Sequence, residues 1–377
     1  MNVLIAPDSY KGSLSAIDVS LIIKKAFTNV FVDVNCVTAP MADGGEGILD
    51  TLLFSTSGHE VHLEANGPLG DKIPTVYGVS GDGETAIIEM AKVAGLPMIP
   101  KDQQNPLLTT TYGIGEVILH AIDQGYRKFI IGLGGSATND GGLGMLQALG
   151  ARFINRDGKS VQPIGASLAD IHEVDFSGIS PILQECEIKI ASDVENPLCG
   201  KEGASHVFGP QKGATPEQIE ELDQGLAHFA SKVEEHLGKS YQRTPGAGAA
   251  GGLGFGLLVI GAQLYSGAKL VADQIQLENN IEKADLIITG EGQSDFQTRY
   301  GKVPSYVGKR SKEHGKPCLL IAGSLGEGIE QLDDLFVSYH SIMNKPMSLE
   351  EAMENVEDLL YQTAVNIAKL VKAFKTN

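Results

Sequence analysis

Short apolar runs, each ending in a loop rich in glycine or acidic residues, set the rhythm of this chain. Val3-Leu-Ile-Ala6 reads as a buried strand running into the loop Pro7–Ser13. Ser15-x-x-Asp18 then opens a helix to about Phe31, because a serine followed three residues on by an acid can satisfy the first free amides. A second strand over Val32–Val37, a loop over Pro40–Gly47 and a helix over Glu46–Ser55 follow. Strand, loop, helix, strand is the βαβ rhythm of an α/β fold with a parallel sheet.

From about His59 to Glu89 the period changes to alternation, as in Val61-His-Leu-Glu-Ala65 and Thr85-Ala-Ile-Ile-Glu89, with turns at Asn66-Gly67 and Gly81–Gly83. That predicts antiparallel strands. Further on come a helix near Tyr112–Gln124, a strand Phe129–Ile131, a strand Ile188–Ser192 and a long surface helix Thr215–Leu237. Leu286–Thr289 and Leu319–Ala322 are strands running into Gly290-Glu-Gly292 and Gly323-Ser324, and a helix closes the chain from about Ser348. The ends share clean βα alternation and the middle is mixed. The pattern predicts a discontinuous α/β domain, residues 1–80 plus 285–377, interrupted by a mixed α/β domain over 81–284, with the active site in the cleft between them.

Composition narrows the partners. The chain has 377 residues, 42% hydrophobic and 20% charged, which suits two folded domains. A net charge of −18 argues against nucleic acid and anionic membrane, whose binding runs on Lys and Arg. Cys36, Cys186, Cys199 and Cys318 show no CxxC or zinc spacing, and the N-terminal apolar run is too short for a signal segment. A cytoplasmic protein is the expectation.

The 46 glycines are clustered, and the segment Gly132–Gly144 (GLGGSATNDGGLG) is the densest in chemistry. It sits between a strand and Met145–Leu149, so bare amides at a helix start would attract an anion. A Walker loop is excluded: the glycine required upstream of Gly158-Lys-Ser160, Gly238-Lys-Ser240 and Gly301-Lys302 is Phe153, Val233 and Phe296. Gly132-x-Gly134-x-x-Ala137 fits a dinucleotide fingerprint with Asp157 downstream, but Asp157 lies in the turn-like Asn155–Gly158. Gly132–Ala137 also resembles the loop of the galactokinase and homoserine kinase superfamily, whose other motifs are missing.

The wider set of loops resembles glycerate kinases of the bacterial type 1 family. These are Ala6–Ala16 (APDSYKGSLSA), Pro40–Gly47 (PMADGGEG), Gly132–Gly144, Ser192–Leu198 (SDVENPL), Phe208–Ala214 (FGPQKGA), Pro245–Gly254, Thr289–Gly292 and Gly301–Pro304, with Asp295, Gln297 and Thr298. The resemblance runs in order along nearly the whole chain, with Tyr10 standing where phenylalanine is expected. It implies ATP-dependent phosphorylation of D-glycerate with Mg²⁺, 2-phosphoglycerate favoured as product. It also implies a flavodoxin-like or Rossmann-like domain interrupted by an inserted one.

Phosphoryl transfer needs positioning, a metal on the phosphate oxygens and cations where charge gathers. On that basis Asp8, Lys11 and Asp193 are the candidate catalytic residues, and Ser9, Asp43 and Glu46 the candidate glycerate contacts. Gly134, Gly135, Ser136, Thr138, Asn139 and Lys302 are candidates for ATP, and Asp193, Glu291 and Asp295 for Mg²⁺. Each acid has a plainer role open to it as a turn or helix cap. Another hydroxy acid as acceptor, or a non-catalytic sensor of a phosphorylated metabolite, are the competing functions. A monomer and a homodimer are equally compatible with the sequence.

Overall fold

The computed structural model describes residues 1–375. In chain order the strands are β1 (Asn2–Ile5), β2 (Asn35–Thr38), β3 (His59–Asn66), β4 (Lys72–Val79), β5 (Thr85–Glu89) and β6 (Lys128–Gly132). They continue as β7 (Arg152–Ile154), β8 (Glu173–Asp175), β9 (Glu187–Ala191), β10 (Gln263–Tyr265), β11 (Leu286–Ser294), β12 (Cys318–Leu325) and β13 (Ser338–Ser341).

The chain divides into two compact units. The first comprises residues 1–43, 50–56 and 268 onward. Its sheet runs β13-β12-β11-β1-β2, parallel throughout. Numbered along the chain that is the order 2-1-3-4-5 of flavodoxin-like folds, in which ligands gather at the carboxyl ends of the two strands flanking the reversal of strand order. Here those strands are β1 and β11. Val3, Leu4 and Ile5 are all buried, as expected of a parallel strand covered on both faces. The helix Ala16–Val30 lays Val19, Ile23 and Phe27 into this core, and Ser15 caps it by accepting from the Asp18 N–H, as the spacing predicts. Burial of Phe27 alone contributes about 2–3 kcal/mol.

The second unit comprises residues 44–49 and 57–267. Its sheet runs β10-β9-β6-β5-β4-β3, with β4 antiparallel to both β3 and β5 and the other pairs parallel, beside a small antiparallel β7-β8 pair. The units therefore change over at 43/44, 49/50, 56/57 and 267/268, where the sequence suggests 80/81 and 284/285. The alternating segments at 59–79 look like a continuation of the first domain in sequence. They hydrogen-bond through β5 to the second sheet instead. One strand is also longer than its sequence suggests. Pairing between β11 and β12 continues to Ser294↔Leu325, so Gly290-Glu-Gly292 is strand and not loop. Among the described residues no helix is long and apolar enough to cross a membrane.

Candidate active site

In the first unit the chemistry gathers where the fold predicts, at the ends of β1 and β11. Pairing of β1 with β11 persists past Ile5, through Ala6 N–H to Ile288 O and Asp8 N–H to Gly290 O, both 2.8 Å. Met41 N–H donates to Pro7 O at 2.8 Å and brings the segment before Asp43 alongside. Burial pushes the Asp8 carboxyl up to about 8, aided by the charges of Asp43 and Glu291 and opposed by the Ser9 N–H, which donates to Asp8 Oδ1 at 2.6 Å. Lys11, three residues on, is exposed and has no ion pair among the described residues. Tyr10 uses the hydroxyl that phenylalanine would lack, donating to Ile321 O at 2.9 Å, and burial together with Glu291 keeps it protonated.

Glu291 is buried and engaged. Its Oε1 accepts from Ser294 Oγ at 2.9 Å and Thr298 Oγ1 at 2.6 Å, and its Oε2 faces Lys302 Nζ at 3.0 Å. Asp295 caps the turn Phe296–Arg299 through Gln297 N–H. Asp193 belongs to the second unit, where its Oδ1 accepts from Gly267 N–H at 3.0 Å. Among the described residues no three His, Cys, Asp or Glu side chains are grouped to hold a metal. Of the acids expected to hold Mg²⁺, Glu291 and Asp295 lie in the first unit, engaged in ion pairing and capping, and Asp193 lies in the second.

The second unit holds Glu46 and the glycine turn. A Cβ on Gly134 would collide with Gly45 Cα and come within 3.2 Å of Glu46 N, so this turn and the Gly45-Glu46 segment lie backbone to backbone. Glu46 is therefore grouped with the glycine turn. Gly134, Gly135 and Ser136 have N–H groups with no acceptor among the described residues, and Gly135 is exposed with φ +67°. Successive free amides around a left-handed residue form a concave anion site. Behind them Asn139 is buried and donates to Ser205 Oγ at 2.9 Å, and Thr138 is buried too. Both therefore support the turn from behind and are sealed from solvent.

Asp140 is wholly buried and accepts from Thr111 N–H, Thr111 Oγ1, Gly142 N–H and Gly144 N–H at 2.8–3.2 Å. It fastens the turn to the start of helix Tyr112–Asp123. Gly251, in a left-handed stretch that runs from Ala250 to Gly252, locks the other side: its carbonyl accepts from Gly141 N–H at 3.0 Å. A Cβ there would strike Thr138 O and lie 2.7 Å from Asn139 Cα, at φ +67°. Gly251→Ala should therefore cost about 2–5 kcal/mol. Thermal unfolding will show it; an unchanged Tm would mean that the turn tolerates displacement.

Two residues of this unit escaped sequence reasoning. Glu89, ending β5, accepts through Oε2 from Gly47 and Leu49 N–H at 3.1 Å and caps the segment after Glu46. The acid closing an otherwise apolar run was its only signal. Lys212 is 2% exposed, and its Nζ donates to Ser136 Oγ at 2.8 Å and Thr138 O at 2.7 Å. Burial pushes its ammonium down to about 7 against the pull of Asp140. Its motif, Phe208–Ala214, was visible in the sequence, but nothing in the motif marks a lysine as buried.

The glycerate kinase family model matches residues 3–372. The chain belongs to the glycerate kinase family. It is 46% identical over 377 residues to a glycerate kinase of Haemophilus influenzae, covering all of both chains. It is 44% identical to the glycerate 2-kinase of Escherichia coli, covering 98% of this chain and 97% of that one. A crystal structure from Salmonella typhimurium LT2 named for glycerate kinase 2 matches with a TM-score of 0.89 and 45% identity, over 100% of each chain. The family assignment agrees with the flavodoxin-like strand order and the loop motifs quoted above.

Proposed function

We propose that the protein transfers the γ-phosphoryl group of ATP to D-glycerate, giving ADP and, as the favoured product, 2-phosphoglycerate. The observation that supports this best is Asp8. It is a carboxyl held near pH 8 at the carboxyl end of β1, three residues before an exposed lysine, in a chain whose relatives are named glycerate kinases along their full length. A base poised near the operating pH suits proton removal from an alcohol.

In this reading Lys11 binds the glycerate carboxylate, with Ser9 and Asp43 at the same strand end. Asp8 accepts the proton of the attacking hydroxyl. The hydroxyl oxygen bonds to the γ-phosphorus in line as the bond to the β–γ bridging oxygen breaks, and no phosphoenzyme forms. The Gly134–Ser136 amides take phosphate oxygens, with Thr138 and Asn139 supporting the turn, and Lys302 is a further cation for phosphate. Asp193, Glu291 and Asp295 are the carboxylates that would hold Mg²⁺, which would supply neutralisation of the negative charge on the transferring phosphoryl group. A cytosolic setting is consistent with four free cysteines.

Product analysis by ³¹P and ¹H NMR tests the reaction and its regiochemistry together. Equimolar ADP and 2-phosphoglycerate are expected from ATP and D-glycerate. No ATP consumption on adding D-glycerate would sink the proposal, and faster turnover with another hydroxy acid would change the acceptor while keeping the chemistry.

A further inference from the structure

Lys212 has no part in the chemistry above, yet it is the most deeply buried lysine ammonium tied to the anion turn. An ammonium can only donate, whereas a serine hydroxyl has one proton and two lone pairs. While Lys212 is protonated, Ser136 Oγ, 2.8 Å from its Nζ, must accept, so the serine's own proton points elsewhere. No acceptor for that proton exists among the described residues, and Ser136 is 8% exposed beside the exposed Gly135. The second ammonium bond, to Thr138 O, crosses to the far side of Ala137, so one side chain grips the turn on both sides of Ala137.

We propose that Lys212 is a positioning residue for the anion bound by this turn: by occupying the acceptor side of Ser136 Oγ, it aims the Ser136 proton, with the Gly134–Ser136 amides, at a phosphate oxygen. The inference rests on reading the turn as the seat of the nucleotide phosphates. A buried ammonium with two neutral partners is poorly compensated, and the carboxylate of Asp140 is the one charge whose pull on it is resolved. A phosphate on the turn supplies further negative charge. The same contact that orients Ser136 therefore makes the site more favourable to an anion than amides alone.

The test is a double-mutant cycle in the full chain with Lys212→Met, Ser136→Ala and both, reading ATP affinity by calorimetry without glycerate. Steady-state KM values and Tm are measured alongside. Lys212→Met is expected to weaken ATP binding roughly tenfold or more, and Ser136→Ala about three- to tenfold. If Lys212 acts through Ser136, the double variant loses no more than about twofold beyond Lys212→Met. The KM for D-glycerate should stay within about twofold, since that site is assigned elsewhere.

Losses that multiply, or ATP affinity unchanged while Tm falls, would overturn the proposal and leave Lys212 as a structural fastener. Should Lys212→Met fail to fold, Ser136→Ala alone decides: wild-type ATP affinity in that variant removes the oriented hydroxyl. ATP affinity is independent of turnover, so a wild-type protein that binds ATP but ignores D-glycerate would refute the function and still test Lys212.

Discussion

Asp8→Asn is expected to lower kcat by about 10²–10⁴-fold and, at the same time, to raise Tm at pH 8.5. The loss follows from the proposed role: asparagine cannot accept the hydroxyl proton. The gain follows from burial. The folded-state value of about 8 lies far above the ordinary 3.8, so between these pH values the native protein holds a proton that the unfolded chain releases. Stability from this group is therefore fully present below about pH 4 and is lost as pH rises through 8. Above that, the wild-type protein carries a desolvated carboxylate facing Asp43 and Glu291, and the neutral amide relieves it. A gain on the order of 1–3 kcal/mol is expected at pH 8.5, roughly 2–8 °C in Tm, shrinking toward pH 5. In the wild type, kcat/KM should climb with pH toward a plateau above 8. A variant that loses Tm at pH 8.5, or a wild-type profile flat from pH 6 to 9, would contradict the assignment.

Lys11→Ala should lower kcat/KM for glycerate by about 10²–10³-fold with Tm unchanged within about 2 °C. An exposed lysine without an ion pair contributes little to folding, whereas a lysine binding a carboxylate contributes a charge-assisted hydrogen bond. The KM for ATP should move much less than that for glycerate. Equal loss of Tm and activity would make Lys11 structural, and a rise confined to the ATP KM would move it to the phosphate. The two variants separate cleanly, because Asp8 sits where burial strains the site and Lys11 where solvent makes it inexpensive to remove.

Much of this was written into local sequence. Ser15 and Asp18 specified a helix start, and Val3–Ala6 a strand with both faces buried. Gly132–Gly144 specified an amide-rich turn, because free amides and φ freedom are properties of a few consecutive residues. The family was legible too, since its loop motifs are long and follow one another along the chain.

The roles of the acids were less accessible. Asp140 and Asp295 look like Asp8 in sequence, each an acid in a turn, yet one is sealed under four donors, one caps a short helix, and one faces two other carboxylates. What distinguishes them is which strands lie beside them. Residues 59–79 show the same limit for domains: alternation reveals a strand, but only pairing through β5 reveals its sheet.

The sequence by itself determined the α/β class, the glycine-rich turn with its free amides and the family, because these depend on periodicity, chain-local geometry and ordered motifs. Only the tertiary structure decided that Asp8, and not Asp140, is the carboxyl facing Asp43 and Glu291, and that Lys212 lies buried behind Ser136. Burial and charge are set by residues hundreds of positions apart, and no local pattern encodes the field they make together.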